Sequence, residues 1–123
     1  MAVTELNEQN FESTVVDNDI VVVDFWAPWC GPCRAFAPTF EEAAEHHKGI
    51  VFAKVNTEEE QGIAAAFQIR SIPTLMIFRE KVIVFAQPGM LSASQLDQVI
   101  EQTKALDMEK VHKDVANQQE NNA

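Results

Sequence analysis

The stretch Ile20-Val-Val-Val-Asp-Phe-Trp-Ala-Pro-Trp-Cys-Gly-Pro-Cys33 joins a strand to the start of a helix. Residues 20–26 are apolar except for one aspartate and show no alternation with polar residues. This pattern is typical of a central strand that is covered on both faces. Pro32 is a residue type favoured in the first turn of a helix, so a helix is expected soon after the strand. Cys30 and Cys33 therefore fall at a strand-to-helix junction.

The two cysteines are three positions apart and are the only cysteines of the chain. At a helix N-terminus the backbone N–H groups are unpaired and the helix dipole is positive, so the thiolate of Cys30 is favoured over its thiol. Cys33 lies on the same helical face, with Cβ atoms about 5–6 Å apart in a regular helix, and small adjustments allow a disulfide. Cys30 is the predicted nucleophile and Cys33 the predicted resolving thiol of a thiol–disulfide exchange.

The residues beside the cysteines suit the approach of a partner. Gly31 lets a partner backbone come close, and Pro32 fixes the first helical turn while removing an N–H that would be unpaired. Trp29, next to Cys30, is expected to be exposed and functional, whereas Trp26 is expected to pack in the core.

Asp24 is the one charged residue within the apolar strand. Burial of a lone carboxylate disfavours its charged form, so its pKa is expected to be raised. The functional interpretation is that Asp24, directly or through a water, accepts the proton of Cys33 during resolution. The alternative is an aspartate that is partly solvated at the end of the strand and has no role in the reaction.

Length and charge exclude several classes of protein. The 123 residues suffice for one ordinary domain that needs neither a disulfide nor a metal for its stability. The formal net charge of -10 disfavours binding to nucleic acids and to anionic membranes. The N-terminus has no cationic leader and no segment is long enough to span a bilayer, so a cytoplasmic protein is expected. In that reducing compartment a purely structural disulfide is disfavoured.

Strands alternate with helices along the chain, which predicts an α/β layer fold. The longest helix contains Pro38 and is expected to kink there. Two strands separated by Arg79-Glu80-Lys81 are expected to form an antiparallel hairpin. Ser92 begins the last secure helix because Ser92 and Gln95 match a capping box. The predicted helices are 8–16, 32–47, 58–67 and one from Ser92, and the predicted strands are 20–26, 50–55, 74–78 and 82–86.

The C-terminal segment has a weaker pattern. A thinner apolar stripe follows the last secure helix and consists of Leu106, Met108, Val111 and Val115. Residues 117–123 have nothing to bury and are expected to fray or to lack structure. The sequence therefore predicts a domain at 1–106 and a polar extension at 107–123, part helical and frayed at its end, either as a bland extension or as an interaction helix.

A metal site is not predicted. A zinc site built on the two cysteines would need two more ligands. His46 and His47 lie at the far end of the helix that begins at the cysteines, and His112 stands alone.

The stretches Asp24-Phe-Trp-Ala-Pro-Trp-Cys-Gly-Pro-Cys33 and Arg70-Ser-Ile-Pro-Thr74 resemble the thioredoxin family, and the resemblance extends over about residues 4–105. It implies a thioredoxin-like three-layer fold, in which helices flank a mixed central β-sheet. It implies the same roles for the two cysteines, and a buried Asp24 that acts through Lys54. It also implies that Pro73 is cis, although base rates favour trans because only about 5–6% of X–Pro bonds in folded proteins are cis.

The resemblance further implies a substrate groove and a set of partners. An extended segment of a partner would bind in the groove partly through main-chain hydrogen bonds. The family takes electrons from NADPH through thioredoxin reductase and passes them to oxidised protein substrates, and its redox-active disulfide works with no bound cofactor. A monomer is expected. The implied groove residues are Trp29, Gly31, Pro32, Ile72, Pro73 and Gly89.

Two positions depart from the family pattern. Pro88 stands before Gly89, where the family usually has an apolar residue with a free N–H, so groove contacts and partner choice are expected to differ. Lys81 replaces the usual glycine of the hairpin.

Three functions fit these observations. The first is a general protein disulfide reductase. The second is an oxidase or isomerase on the same fold, which is expected to carry a histidine between the cysteines. The third is a binding subunit that uses the fold only as a scaffold. The pair Gly31-Pro32 favours the reductase, and the intact cysteines disfavour the scaffold.

Overall fold

The computed structural model describes residues 2–121, which form one mixed sheet with helices on both faces. Within this range, no helix combines the length and the apolar character needed to cross a lipid bilayer. In chain order the elements are β1 (Val3–Glu5), α1 (Phe11–Asp17), β2 (Ile20–Trp26), α2 (Gly31–His46), β3 (Val51–Asn56), α3 (Gln61–Ala66), β4 (Thr74–Arg79), β5 (Val82–Pro88), α4 (Ala93–Lys104) and α5 (Met108–Asn121).

The strand that carries the apolar run, β2, lies at the centre of the sheet, whose strand order is β1-β3-β2-β4-β5. β3 runs parallel to both β1 and β2, whereas β4 is antiparallel to both β2 and β5. The side chains of Val21, Val22, Val23 and Phe25 are fully buried. The prediction of a central strand covered on both faces is therefore confirmed.

Successive side chains of β2 enter two separate cores, because side chains alternate between the faces of a strand. Val22 packs in the core that contains Phe36 of α2 and Ile100 of α4. Val23 packs in the core on the other face, which contains Ile63 of α3 and the buried side of α1. The two helical layers and the mixed sheet confirm the predicted thioredoxin-like three-layer fold.

Two helices begin later than the sequence pattern predicts. α1 begins after a turn in which the side chain of Asn7 accepts hydrogen bonds from backbone N–H groups two and three residues further on, at 2.9 and 3.0 Å. α3 is likewise preceded by a turn, in which the side chain of Asn56 accepts from the N–H of Glu58 at 3.0 Å. Such side-chain bonds compete with the helical bonds of the backbone, so they delay the helix start.

Strand β1 is an element that the sequence pattern does not predict. It has three residues and pairs in parallel with β3, with Thr4 beside Ala53. Three residues are too few to show the alternation from which strands are recognised. The position of β1 depends on the edge that β3 offers, which is a tertiary feature.

The hairpin of β4 and β5 turns on two residues rather than on the predicted three. Arg79 pairs with Val82, which leaves Glu80 and Lys81 as the loop. Both loop residues have positive φ, 49° and 70°, as the primed turns of two-residue hairpins require. The predicted hairpin is confirmed, and its strands are longer than predicted.

The capping box at the start of α4 is confirmed. The hydroxyl of Ser92 accepts from the N–H of Gln95 at 3.2 Å, and the side chain of Gln95 accepts from the N–H of Ser92 at 2.9 Å. Two of the backbone donors that a helix start leaves unpaired are satisfied in this way.

A separate helix, α5, follows α4, which confirms the predicted helical part of the C-terminal extension. The guanidinium of Arg79 organises the connection, because its Nη1 donates to the carbonyl oxygens of Thr103 and Leu106 at 2.7 and 3.0 Å. The expectation that the chain frays or lacks structure from residue 117 is wrong as far as Asn121, where the helix ends. Residues 118–120 are Gln, Gln and Glu, which are good helix formers and extend a helix that is already anchored. Residues 122–123 lie outside the described range, and the division at 106 stays a prediction.

The left-handed backbone of the hairpin turn yields a stability prediction. Lys81→Gly is expected to raise the free energy of unfolding by about 0.5–1 kcal/mol, because the relief of left-handed strain exceeds the entropic cost of glycine. Urea denaturation measures the change. Lys81→Ala keeps the Cβ and is the matched control, so equal stability of the two variants would contradict the explanation.

Candidate redox site

The junction between β2 and α2 holds the two cysteines. The N–H of Cys30 donates to the carbonyl oxygen of Ala27 at 3.2 Å, which turns the chain after the strand. Cys30 has an extended backbone and is the N-cap of α2. Its Sγ accepts a hydrogen bond from the N–H of Cys33 at 3.2 Å, and the two residues form a disulfide with Cα atoms 5.2 Å apart. The sulfur of Cys30 thus occupies the place of a capping oxygen at the positive end of the helix.

The disulfide is largely withdrawn from solvent. Cys30 is 5% exposed and Cys33 is 2% exposed. They form a small apolar cluster with Ala27, against which Trp26 and Ile72 pack. A partner must therefore reach the disulfide over the few surface atoms of Cys30.

A second loop, which precedes β4, closes one side of the site. The carbonyl oxygen of Ile72 lies 3.8 Å from Sγ of Cys30. The peptide bond between Ile72 and Pro73 is cis, which confirms the expectation from the family resemblance against the base rate. The carbonyl oxygen of Pro73 accepts from the N–H of Gly89 at 2.8 Å, and Gly89 has a φ of 97° that favours glycine. These bonds bring residues from two distant parts of the sequence beside Cys30.

The rim of the site is apolar and open. Trp29 is 64% exposed, as predicted, and its indole N–H donates to the carboxylate of Glu58. A Cβ added at Gly31 would meet no atom within 4 Å, so this side of the pair is free for a partner. Met90 is exposed on the opposite loop, next to Gly89. Sequence reasoning missed Glu58, because no local pattern indicates that it binds Trp29 beside the cysteines.

Asp24 lies on the central strand β2, whose end leads into the site. It is 4% exposed, and by strand alternation it shares a face with Val22, which packs against α2. Its Oδ1 has no hydrogen-bond partner among the described residues. Burial raises the pKa of Asp24 to about 7, while the positive charge of Lys54 lowers it. The expected raised pKa is confirmed, and the carboxyl can exchange a proton near neutral pH.

Lys54 is paired with Asp24 in the register of the neighbouring strand β3. Its Nζ lies 4.8 Å from the centroid of the Trp26 ring, in the position of a cation–π contact. The side chain of Lys54 is half-buried. The sequence-predicted pair is therefore adjacent in the fold.

The histidines lie away from the cysteines. His47 is buried at the end of α2, where its Nε2 is 2.7 Å from a carboxylate oxygen of Asp97. His112 contacts Glu80 at 2.8 Å. Among residues 2–121, no group of three or more His, Cys, Asp and Glu side chains is placed to hold a metal ion.

The site is a cysteine pair at the start of a helix, where the disulfide can be reduced and formed again. Such a pair defines the class of thiol–disulfide oxidoreductases. Residues 2–102 match the family model described as Thioredoxin. A candidate thioredoxin 2 of Streptomyces coelicolor is 56% identical over 115 residues, which cover 94% of this chain and 86% of that protein. Thioredoxin 1 of Nostoc is 44% identical over 102 residues, which cover 81% of this chain and 95% of that protein.

The solved structures agree with the sequence comparisons. A mutant thioredoxin from Halobacterium salinarum aligns with a TM-score of 0.78 at 33% identity, over 85% of this chain and 92% of that one. A Plasmodium falciparum thioredoxin aligns with a TM-score of 0.76 at 33% identity, over 80% of this chain and 97% of that one. The chain belongs to the thioredoxin family, and its cysteine pair carries out dithiol–disulfide exchange.

The buried carboxyl makes stability depend on pH. Because the pKa of Asp24 is near 7 in the folded state and near 3.8 in the unfolded state, the folded protein holds an additional proton between these values. Stability is therefore lost as the pH rises from about 4 to about 7. Asp24→Asn is expected to raise the free energy of unfolding on the order of 3 kcal/mol at pH 8 and by much less at pH 4.

Denaturation of the oxidised protein at several pH values measures this effect. Asp17→Asn, at an exposed aspartate of α1, is the matched control and should change stability by less than about 0.5 kcal/mol at any pH. If the difference in the free energy of unfolding between Asp24→Asn and wild type does not vary with pH, the assignment of the titration to Asp24 is contradicted.

Proposed function

We propose that the chain is a general protein disulfide reductase in which Cys30 is the nucleophile and Cys33 the resolving thiol. The observation that carries the assignment is the hydrogen bond from the N–H of Cys33 to Sγ of Cys30 at the N-terminus of α2. This bond and the helix dipole stabilise negative charge on Cys30. Cys33 is more deeply buried, so a partner disulfide reaches Cys30 first.

The exchange proceeds in two displacements. The thiolate of Cys30 attacks one sulfur of a substrate disulfide, so that the substrate S–S bond breaks and a substrate thiolate leaves. The thiolate of Cys33 then attacks Sγ of Cys30, which forms the intramolecular disulfide and releases the second substrate thiolate. The substrate gains two electrons and two protons, and the cysteine pair loses them.

Proximity contributes more than activation to this reaction. A fall in the pKa of a thiol from about 8.5 to about 7 raises its thiolate fraction at pH 7 about sixteen-fold. Lower intrinsic nucleophilicity removes roughly five-fold of that gain, which leaves a factor of about three. The intramolecular attack by Cys33 can reach an effective molarity on the order of 10⁵ M or more. The spacing of the pair is therefore the larger source of rate.

Asp24 is proposed to accept the proton of Cys33 during resolution, with Lys54 as a positioning residue. A carboxyl with a pKa of about 7 is ionised in part at neutral pH and can take up and release a proton. Lys54 favours the ionised form through its charge, which supports the role of Asp24 as a base.

The substrate groove is proposed to consist of the residues that the family resemblance implies. One side of the groove is formed by the exposed residues beside Cys30, and the other by the loop around the cis peptide bond. The hydrogen bond from the N–H of Gly89 to the carbonyl oxygen of Pro73 joins this loop to the end of β5. Pro88 ends that strand without an N–H to donate, so substrate main chain has one donor fewer there. The proposed groove residues are Trp29, Gly31, Pro32, Ile72, Pro73 and Gly89.

The electron donor is proposed to be NADPH acting through a thioredoxin reductase, with oxidised proteins as substrates, in the cytoplasm. A monomer is proposed because a net charge of -10 opposes self-association. The family membership supports the partner assignment.

An oxidase or isomerase on this fold is the second candidate, and the residues between the cysteines favour the reductase over it. A strong oxidant requires a stabilised reduced form of the cysteine pair. Gly31 and Pro32 carry no charge and donate no side-chain hydrogen bond, so they do not add to that stabilisation. Equilibration with glutathione distinguishes the two, because a strongly oxidising pair would contradict the reductase.

The cysteine roles predict two different phenotypes. Cys30→Ser is expected to abolish NADPH-coupled reduction of a protein disulfide in the presence of a thioredoxin reductase, because no nucleophile remains. Cys33→Ser is expected to lose turnover and to accumulate a mixed disulfide with the substrate through Cys30. Mass spectrometry of the non-reduced reaction detects that adduct. Activity that survives Cys30→Ser would contradict the mechanism, and no activity in wild type would support the scaffold function.

The role of Lys54 predicts a shift in a pH profile. Lys54→Gln removes the charge that lowers the pKa of Asp24, so the midpoint of the rate of resolution is expected to move to higher pH by about one unit. Stopped-flow measurement of mixed-disulfide resolution against pH gives the midpoint. Lys48→Gln, at an exposed lysine after α2, is the control and should leave the midpoint unchanged. Equal midpoints in all three proteins would refute the positioning role.

A further inference from the structure

A groove of about 610 Å³ lies on the face of the sheet covered by α1 and α3. Three phenylalanine rings from α1, the end of α3 and β4 contact one another in it, with centroids of Phe11 and Phe67 5.3 Å apart and those of Phe67 and Phe78 5.8 Å apart. Val16 and Ile83 line the groove and are 47% and 45% exposed. These two are half of the four large apolar side chains that are exposed among the described residues.

The groove is separate from the redox site. The N–H of Glu80 donates to the carbonyl oxygen of Asp19 at 2.8 Å, so the hairpin end of the groove lies at the start of β2. Cys30 follows the other end of β2, and seven residues of a strand span about 20 Å. Cys30 also begins α2, which covers the opposite face of the sheet. A molecule bound at the hairpin end of the groove therefore leaves the disulfide accessible.

The rim of the groove is acidic. Glu8 and Glu12 line it on the side of α1, against the single cation Lys81 among the lining residues that the structure describes. The carboxylate of Glu8 extends over α3 so closely that a Cβ added at Gly62 would lie 2.5 Å from its Oε1. Apolar floor and carboxylate rim together favour a ligand that combines apolar side chains with positive charge.

The charge also discriminates between occupants. A second copy would bring two acidic rims together and would join two chains of net charge -10, which disfavours self-association. An anionic membrane would be repelled by the same carboxylates. An amphipathic helix with Lys or Arg beside its apolar face is not repelled by these carboxylates. Amphipathic helices bind in apolar grooves through side chains spaced three and four residues apart.

We propose that this groove docks a basic amphipathic helix of a partner protein. Its apolar side chains enter the groove between Val16 and Phe67, and its Lys or Arg side chains meet Glu8 and Glu12. A partner held there keeps Cys30 free, so docking and disulfide exchange can take place at the same time on one molecule. The docking depends on neither cysteine and stands independently of the proposed reductase function.

A titration of the whole chain with a synthetic helix of about four turns, built from leucine and lysine, tests the docking. Amide NMR shifts are expected to change in α1, α3 and the hairpin turn, with saturation below about 1 mM. A peptide of the same pattern with glutamate in place of lysine is expected to bind at least about ten-fold more weakly. Shift changes centred on Trp29 and Met90, or no saturable binding, would overturn the proposal.

Matched charge variants separate the groove from the general acidity of the chain. Glu12 and Glu109 both lie in the first turn of a helix, but only Glu12 lines the groove. Glu12→Lys is expected to weaken binding of the lysine peptide about ten-fold, whereas Glu109→Lys should change it less than about two-fold. Val16→Gln, at an exposed position, is expected to weaken it about five-fold. Equal weakening by the two charge variants, or none by Val16→Gln, would refute the docking site.

Discussion

The burial of β2 between two helical layers is the constraint on which the rest of the structure depends. Val21, Val22, Val23 and Phe25 are fully buried, and each such side chain contributes about 1.5–3 kcal/mol relative to exposure. The gross gain of about 6–12 kcal/mol exceeds the cost, on the order of 3 kcal/mol, of an ionised Asp24 on the same strand. The strand therefore stays central, and its end fixes the point at which Cys30 starts α2.

The redox chemistry follows from that fixed junction. The same helix start that aligns backbone donors with Sγ of Cys30 also sets Cys33 within reach, so activation and resolution have one structural source. The buried carboxyl of Asp24 destabilises the folded protein near neutral pH, and this cost accompanies a group that can exchange a proton there. In the proposed mechanism, stability and reactivity are thus coupled through Asp24.

The molecule has two different apolar surfaces, one at the end of the sheet that carries the disulfide and one on a face of the sheet. The end that carries the disulfide has an open apolar rim with Trp29, whereas the α1 and α3 face has a groove with carboxylates at its edge. At the edge strand β5, residues of β5 and α5 line a small cavity together, among them Val82 and Val111.

The sequence by itself determined the central strand, the helix that starts at the cysteines, the hairpin and the capping box at Ser92, because burial periodicity and capping are local properties. It also indicated that Asp24 is buried and titrates abnormally. The starts of α1 and α3, strand β1 and the length of α5 could not be obtained in this way, since each depends on a side-chain bond or on a neighbour. The family resemblance implied that Ile72 and Gly89 belong to the groove, but only the tertiary structure decided that Glu58 binds Trp29 and that the carbonyl oxygen of Ile72 lies beside Cys30. The order of strands brings these residues together, and it depends on burial of apolar surface over the whole chain, which no short segment of sequence determines.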